Sequence, residues 1–176
     1  QDSGLMENEF RVLVHAPRGR DAAVVQGVLN AQAIASKVCT SHEELLQDLV
    51  AGAAAVIVTE EALAGVMEDR RLLDWLQQQP PWSDFPFVVL AGRREGRRPQ
   101  PEHDALHSLG NLVRLERPLN AETLGSAAES AVRARRRQYA ARQHLDELSR
   151  TRTELSSRKL PVAVAPSIFM SARMLG

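Results

Sequence analysis

Apolar runs alternate with amphipathic segments over most of the chain. Most of the runs are continuous stretches of Val, Ile, Leu and Ala, which is typical of strands buried on both faces of a parallel sheet. Five strands are predicted in this way, at residues 10–16, 34–40, 53–59, 87–92 and 111–119.

The segments between these runs have helical spacing. In residues 20–32, the side chains of Val24, Val25, Val28 and Leu29 are predicted to share one apolar face. The first helix is therefore expected to pack this face on the sheet.

Ser41 and Glu44 have the spacing of a capping box and predict the start of a second helix, which ends near Gly52. Its apolar stripe is predicted from Leu45, Leu46, Leu49 and Val50. Further helices are predicted at residues 63–76 and 104–110, and Asn120 is expected to cap a last helix that has no stop before Pro161.

Strands that alternate with helices predict an α/β fold. The expected architecture is a doubly wound, five-stranded parallel sheet of flavodoxin-like order 2-1-3-4-5, with an extended C-terminal helix. The functional crevice of such a sheet lies at the carboxyl ends of strands one and three. Thr59 ends the third strand and is therefore a first candidate for a site residue.

Composition narrows the classes of function. Lys plus Arg and Asp plus Glu each total 22, so no net charge draws the whole chain to nucleic acid or to a membrane. The single cysteine, Cys39, excludes an internal disulfide and is expected to pack as a small apolar side chain. The sequence has neither a membrane-spanning apolar run nor a signal-peptide pattern, so a cytoplasmic location without membrane insertion is expected.

The segments SDFPFVVLAG (83–92) and LVRLERPLNAETL (112–124), together with the order and lengths of the strands, resemble the receiver domain of bacterial two-component signalling over residues 10–137. In that family, an acidic pair after strand one and an Asp after strand three hold Mg²⁺, and the Asp accepts a phosphoryl group. A Ser or Thr after strand four and a Lys after strand five complete the site. This chemistry needs oxygen ligands for a hard cation and a fixed positive charge for the phosphoryl group.

The resemblance places the acidic pair on Ala16 and Pro17, which offer no side-chain oxygen to a cation. The phosphate acceptor falls on Thr59, whose hydroxyl is a poor substitute for a carboxylate without a metal or a base. The site is therefore expected to hold no metal and no cofactor.

The Ser or Thr position falls on Ala91, and only the basic residue is kept in kind, as Arg117. The bond from Arg117 to Pro118 is expected to be cis, as in the family. The resemblance thus implies a pseudo-receiver, a receiver fold whose phosphoacceptor site is degenerate.

Glu60 and Glu61 leave an alternative open. Both are expected to be acidic residues at a helix start, where they complement the helix dipole. A shift of one residue in register would instead make Glu60 the acceptor, or a charged mimic of the phosphorylated state. An atypical phosphoacceptor that uses Thr59 or Glu60 is therefore a second hypothesis.

Other candidate residues are interpreted as structural. His15 is expected to be a partly buried structural histidine, because the other histidines, His42 among them, lie elsewhere and show no ligand spacing with it. Trp75 and Trp82 are expected to pack in the core or to anchor loops. The arginines of the loop after strand four are interpreted as solvated, with an anion or an acidic partner as the alternative; they are Arg93, Arg94, Arg97 and Arg98.

The last helix predicts a coiled coil, because its apolar and small residues recur at alternating steps of three and four. The seam is predicted from Leu124, Ala127, Ala131, Ala134, Gln138, Ala141, Leu145, Leu148, Arg152 and Leu155. A parallel homodimer would bury this seam, with Gln138 and Arg152 fixing its register, and a frayed monomeric helix is the alternative. Basic residues outnumber acidic ones here, but a charged coiled-coil surface is favoured over nucleic-acid binding because no recognition motif is present.

The expected organisation has four parts. Residues 1–9 are a disordered or added start, residues 10–137 form the receiver-like domain, and residues 138–159 form the coiled-coil extension. Residues 160–176 are expected to be a tail, either the beginning of a following domain or vector sequence.

The predicted function is that of a non-catalytic signalling module. It would form the N-terminal regulatory and dimerisation part of a sensor histidine kinase or response regulator, acting on a partner or on a fused kinase or output domain. Two alternatives to this function remain open: the pseudo-receiver part of an RNA-binding antiterminator-type regulator, and the atypical phosphoacceptor described above.

Overall fold

Five parallel strands form a single sheet in the computed structural model, which describes residues 7–92 and 106–158. The strands are β1 (Val12–His15), β2 (Ser36–Val38), β3 (Ala55–Thr59), β4 (Phe87–Ala91) and β5 (Leu112–Glu116). All neighbouring strands run parallel, and their order is β2-β1-β3-β4-β5. The predicted fold class and strand order are confirmed.

Helices connect the strands, and a long helix follows the last strand. They are α1 (Asp21–Ala31), α2 (His42–Ala51), α3 (Glu60–Met67), α4 (Arg71–Gln77) and α5 (Ala121–Arg158). Residues 106–108 add a short helical turn, and Gly110 follows it with a φ of 80°, as expected of a closing glycine.

The core lies on both faces of the sheet, because successive side chains of a strand point to opposite faces. On one face, strand residues such as Leu13, Val56 and Val58 pack with the buried residues of α2 and α3. On the other face, strand residues such as Val14 and Ile57 pack with α1 and α5.

The sequence placed Val24 and Val50 on apolar helix faces, and both predictions are wrong. Val24 is 49% exposed and Val50 is 74% exposed. On each helix, the stripe of side chains that contacts the sheet contains fewer residues than the apolar face predicted from the sequence. Helix α1 buries Val25 and Leu29, and α2 buries its three leucines.

The single helix predicted at residues 63–76 is two helices. The first begins earlier than predicted, at Glu60, because Thr59 caps it. The chain turns at Arg70, which has a left-handed φ of 43°. The Asp69 carboxylate accepts a hydrogen bond from the Arg71 amide at 3.1 Å, and an aspartate bonded in this way favours a turn over a continuous helix.

The predicted caps of α2 and α5 are confirmed. Ser41 Oγ accepts a hydrogen bond from the Glu44 amide at 3.2 Å. The Glu44 carboxylate reaches back to the Thr40 amide, at 2.8 Å, and so completes a variant of the capping box. Asn120 Oδ1 accepts hydrogen bonds from the Glu122 and Thr123 amides in the first turn of α5, at 2.9 and 3.1 Å.

The chain divides into two compact units, Gln1–Tyr139 and Ala140–Gly176. In the first unit, α5 buries a stripe that ends at Tyr139, whose hydroxyl donates a hydrogen bond to the Ala53 carbonyl at 2.8 Å. In the second unit, residues 140–158 are helical, and the side chains of Leu145, Leu148 and Leu155 are each more than half exposed. Over the described parts of the chain, no helix combines the length and the apolar character needed to cross a membrane.

Candidate functional site

Thr59 caps a helix at the carboxyl end of β3. Its side chain is 4% exposed, and its Oγ1 accepts a hydrogen bond from the Ala62 amide at 3.3 Å. Threonine is a preferred residue at this position because its oxygen satisfies an amide that has no partner within the helix. The hydroxyl of Thr59 therefore has a structural role as a helix cap.

The two positions that the resemblance assigned to the metal-binding pair carry no side-chain oxygen. Ala16 follows β1 and is buried, and Pro17 is exposed. Ala91, at the end of β4, is fully buried and packs in the core. Within residues 7–92 and 106–158, no group of three His, Cys, Asp or Glu side chains is arranged to hold a metal ion.

Of the positions that the resemblance assigned, only that of Arg117 has a residue with the same charge as in the receiver family. Arg117 forms ion pairs in this structure. Its Nη2 lies 2.6 Å from Oδ2 of Asp21 and 3.9 Å from Oε2 of Glu61. Its amide donates a hydrogen bond to the Ala91 carbonyl at 3.3 Å. The peptide bond to Pro118 is cis, as predicted.

The two carboxylates belong to the first turns of two helices, Asp21 to α1 and Glu61 to α3. Helix N-termini favour negative charge, so the acids are well placed there even without Arg117. Together they surround the guanidinium with negative charge. Sequence reasoning missed Asp21, although an acidic residue at the first turn of the first helix, beside the predicted crevice, was a usable signal.

Glu60 also lies in the first turn of α3, and its side chain is half-buried. It follows the last residue of β3 directly, so the strand register leaves Thr59, and not Glu60, at the strand end.

His15 ends β1 and is buried. Its Nδ1 lies 2.9 Å from the Cys39 carbonyl, and its Nε2 is buried without a hydrogen-bond partner. The His42 ring packs against it edge to face, with 5.3 Å between the ring centroids. The sequence-based expectation that His42 lies elsewhere is therefore wrong: α2 begins at His42 and brings it to the end of β1. Burial lowers the pKa of His15 below its ordinary value.

Cys39 follows β2 and is buried as expected, although its surroundings are not wholly apolar. Its Sγ lies 3.5 Å from Oδ2 of Asp48, which also binds Lys37 at 2.7 Å. Burial, with a further contribution from the Asp48 carboxylate, raises the pKa of the Cys39 thiol to about 12.

Both tryptophans pack as predicted. Trp75 meets Phe85 edge to face at 5.1 Å, and Trp82 lies 5.3 Å from the guanidinium carbon of Arg135. The four arginines after strand four, as well as His103, lie outside the described residues.

The predicted coiled-coil residues fall in different surroundings. Within the first unit, Ala134 is half-buried, and Gln138 hydrogen-bonds the amide and the carbonyl of Asp84, each at 2.8 Å. In the second unit, the five seam residues are exposed: Ala141, Leu145, Leu148, Arg152 and Leu155.

No protein-family model and no curated protein matches the sequence. Solved structures do match. The signal receiver domain of a Luxo repressor protein from Vibrio parahaemolyticus has a TM-score of 0.57 at 14% identity, over 74% of this chain and 95% of that chain. Full-length FixJ from B. japonicum has a TM-score of 0.54 at 19% identity, over 72% of this chain and 59% of that one.

A third solved structure contains a coiled coil. It is a fusion that carries amino acids 181–211 of the trimeric coiled coil of yeast Spc42, with a TM-score of 0.55 at 17% identity, over 90% of this chain and 99% of that chain. The fold of this chain is that of response-regulator receiver domains, followed by a long C-terminal helix.

Proposed function

We propose that this chain is a non-phosphorylatable pseudo-receiver, which signals through protein contacts and not by accepting a phosphoryl group. It would serve as the N-terminal regulatory and dimerisation part of a sensor histidine kinase or a response regulator. The observation that carries the proposal is the pairing of Arg117 with Asp21 at a site where Ala16 and Pro17 supply no metal ligand.

Phosphoryl transfer requires a bound cation and a free positive charge near the acceptor. Mg²⁺ needs oxygen ligands, and an alanine and a proline cannot provide side-chain oxygens. The positive charge of Arg117 is already balanced by Asp21 and Glu61, so an incoming anion would have to displace them. These two features together argue against phosphorylation at Thr59.

The second part of the proposal is self-association through the helix of residues 140–158. Leu145, Leu148 and Leu155 are 52%, 54% and 56% exposed, and their spacing of three and seven residues aligns them on one side of a helix. Burying one such leucine completely against a second copy would contribute at most about 1.5 to 3 kcal/mol. Since the side chain of Gln138 is engaged by Asp84, the seam proposed here begins at Ala141.

The phosphorylation test is incubation of the full chain with acetyl phosphate and Mg²⁺, followed by intact mass spectrometry. No phosphate is expected to be gained. A gain of one phosphate would overturn the proposal, and the Thr59→Ala and Glu60→Gln variants would then identify the acceptor. A receiver domain with an intact acidic pair is the positive control for the reagent.

The association test is multi-angle light scattering on the full chain. A dimer is expected for the wild type, and a monomer for the Leu145→Ser, Leu148→Ser double variant. Arg150→Ser is the matched control, because Arg150 lies away from the seam and should leave the dimer intact. A monomeric wild type would refute self-association, and a trimer would refute the dimer while supporting the coiled coil.

A further inference from the structure

A buried arginine holds the last helix to the loop before β4. Arg135 of α5 is only 4% exposed. Its guanidinium carbon lies 5.3 Å from the ring centroid of Trp82, 5.0 Å from that of Phe85 and 4.8 Å from that of Tyr139. Three aromatic faces therefore surround one cation within the first compact unit.

Hydrogen bonds connect the same two elements. Arg135 Nη1 donates to Ser83 Oγ and to Gln138 Oε1, both at 2.7 Å. The Gln138 amide group in turn bonds both backbone polar atoms of Asp84. We call residues 82–85 together with Arg135 and Gln138 the arginine clamp.

In the part of the chain that the structure describes, the clamp holds a buried charge without a counter-ion. Among residues 7–92 and 106–158, no carboxylate forms a salt bridge with Arg135, and its Nε is buried without a hydrogen-bond partner. A buried cation is costly unless its surroundings compensate, and here only aromatic faces and neutral oxygens do so. Residues 82–85 supply two of the three aromatic rings and one of the two hydrogen-bond acceptors, so the compensation of this charge depends on their positions.

Residues 140–158 depend on the helix that precedes them. They are polar and charged apart from a few leucines, and nearly all of their side chains are exposed. Most helical stability in proteins comes from packing, which these exposed residues lack, and the first turn of a helix is costly to form, whereas extension from an existing turn is not. The clamped turns at residues 132–139 provide such a turn.

We propose that the arginine clamp is a conformational relay that sets the helical order of residues 140–158. Movement of residues 82–85 would release Arg135, the turns around it would loosen, and helix would be lost beyond Tyr139. The inference rests on the proposed function, because it gives the regulation of the helix through which the chain is proposed to associate.

The test is hydrogen–deuterium exchange of the full chain, read by mass spectrometry. In Arg135→Met, exchange is expected to accelerate at residues 80–86 and, by about fivefold or more, at residues 140–158, while strands β1 and β3 stay protected. Arg133→Met is the matched control, because Arg133 lies on the same helix, is exposed and forms a surface ion pair with Glu129. This control should leave exchange at residues 140–158 unchanged.

Gln138→Ala provides a second variant in case Arg135→Met does not fold, since it weakens the clamp and leaves the buried charge in place. Unchanged exchange at residues 140–158, despite faster exchange at 80–86, would overturn the relay, and so would full exposure of 140–158 in the wild type. Measurement at a concentration where light scattering reports monomers keeps this result separate from the test of association.

Discussion

Arg117 Nη2 lies 2.6 Å from Oδ2 of Asp21, and this ion pair joins the turn before the last helix to the first turn of α1. The resemblance to receiver domains proposes Arg117 as the counterpart of the fixed cation of their phosphoryl site. In this chain the cation has an internal anion instead. The pairing gives Arg117 a use that needs neither a metal nor a phosphoryl group.

Replacement of Arg117 by alanine is expected to have a small effect on stability. The side chains of Arg117 and Asp21 are 32% and 27% exposed, so solvent screens the pair, and we expect a loss of no more than about 1 kcal/mol. Urea unfolding at low and high salt measures this loss of unfolding free energy. Added salt should reduce the difference in unfolding free energy between wild type and variant. Arg133→Ala, which breaks an exposed pair, is the control. A loss above about 3 kcal/mol would mean that the pair acts as a buried one.

Gly65 and Gly27 both lie within helices, but substitution by alanine is expected to change stability in opposite directions at the two positions. A Cβ atom on Gly65 would lie 2.5 Å from Cε1 of His42, whereas a Cβ on Gly27 would meet nothing within 4 Å. Gly27→Ala should therefore stabilise the chain by about 0.5 to 1 kcal/mol, because alanine favours the helix.

Gly65→Ala should destabilise the chain despite the same gain in helix propensity, because the His42 ring must shift and its packing against His15 is then disturbed. Thermal unfolding of both variants checks the prediction. An equal rise in melting temperature for both would show that the His42 ring moves freely.

The lowered pKa of His15 predicts that the stability of the folded chain decreases as pH falls below about 6.5. Burial, aided by the nearby His42 and opposed by the Cys39 carbonyl, lowers the pKa of His15, so the unfolded chain binds a proton that the folded chain does not. Stability is therefore complete above the ordinary pKa of histidine, about 6.5, and declines as pH drops from there toward the folded pKa.

Urea unfolding between about pH 5 and pH 8 measures this slope, above the range in which carboxylates titrate. His15→Asn is expected to lower stability throughout but to flatten the slope below about pH 6.5. His144→Asn, which changes an exposed histidine, should keep the wild-type slope. The same slope in His15→Asn would assign the effect to another group.

Cys39 is predicted to be chemically inert in the folded chain. Its pKa is raised to about 12, and its side chain is buried, so the reactive thiolate is scarce and inaccessible at neutral pH. A thiol reagent at pH 8 should label one cysteine in urea and none in buffer. Rapid labelling of the folded chain would show that β2 opens readily.

The sequence by itself determined the architecture. Continuous apolar runs such as 53–59 can be buried only inside a sheet covered on both sides, and alternation with helices then fixes parallel strands and their order. The local caps were equally readable, since Ser41 and Asn120 bond amides two or three residues away. The absence of side-chain oxygens at Ala16 and Pro17 was also visible, because the atom types of a side chain follow from the residue type alone.

Only the tertiary structure decided which side chains meet at the carboxyl end of the sheet and along the last helix. Asp21 and Arg117 are far apart in sequence, and Arg135 meets Ser83 across 52 positions, so no local pattern relates these partners. His42 reaches His15 for the same reason: helix α2 packs on the end of β1. The helical periodicity of α5 has the same limit. The predicted seam runs through Ala131 and Ala134, whereas the stripe buried on the sheet runs through Val132 and Arg135. Both stripes repeat every three to four residues, and only packing against the sheet distinguishes them.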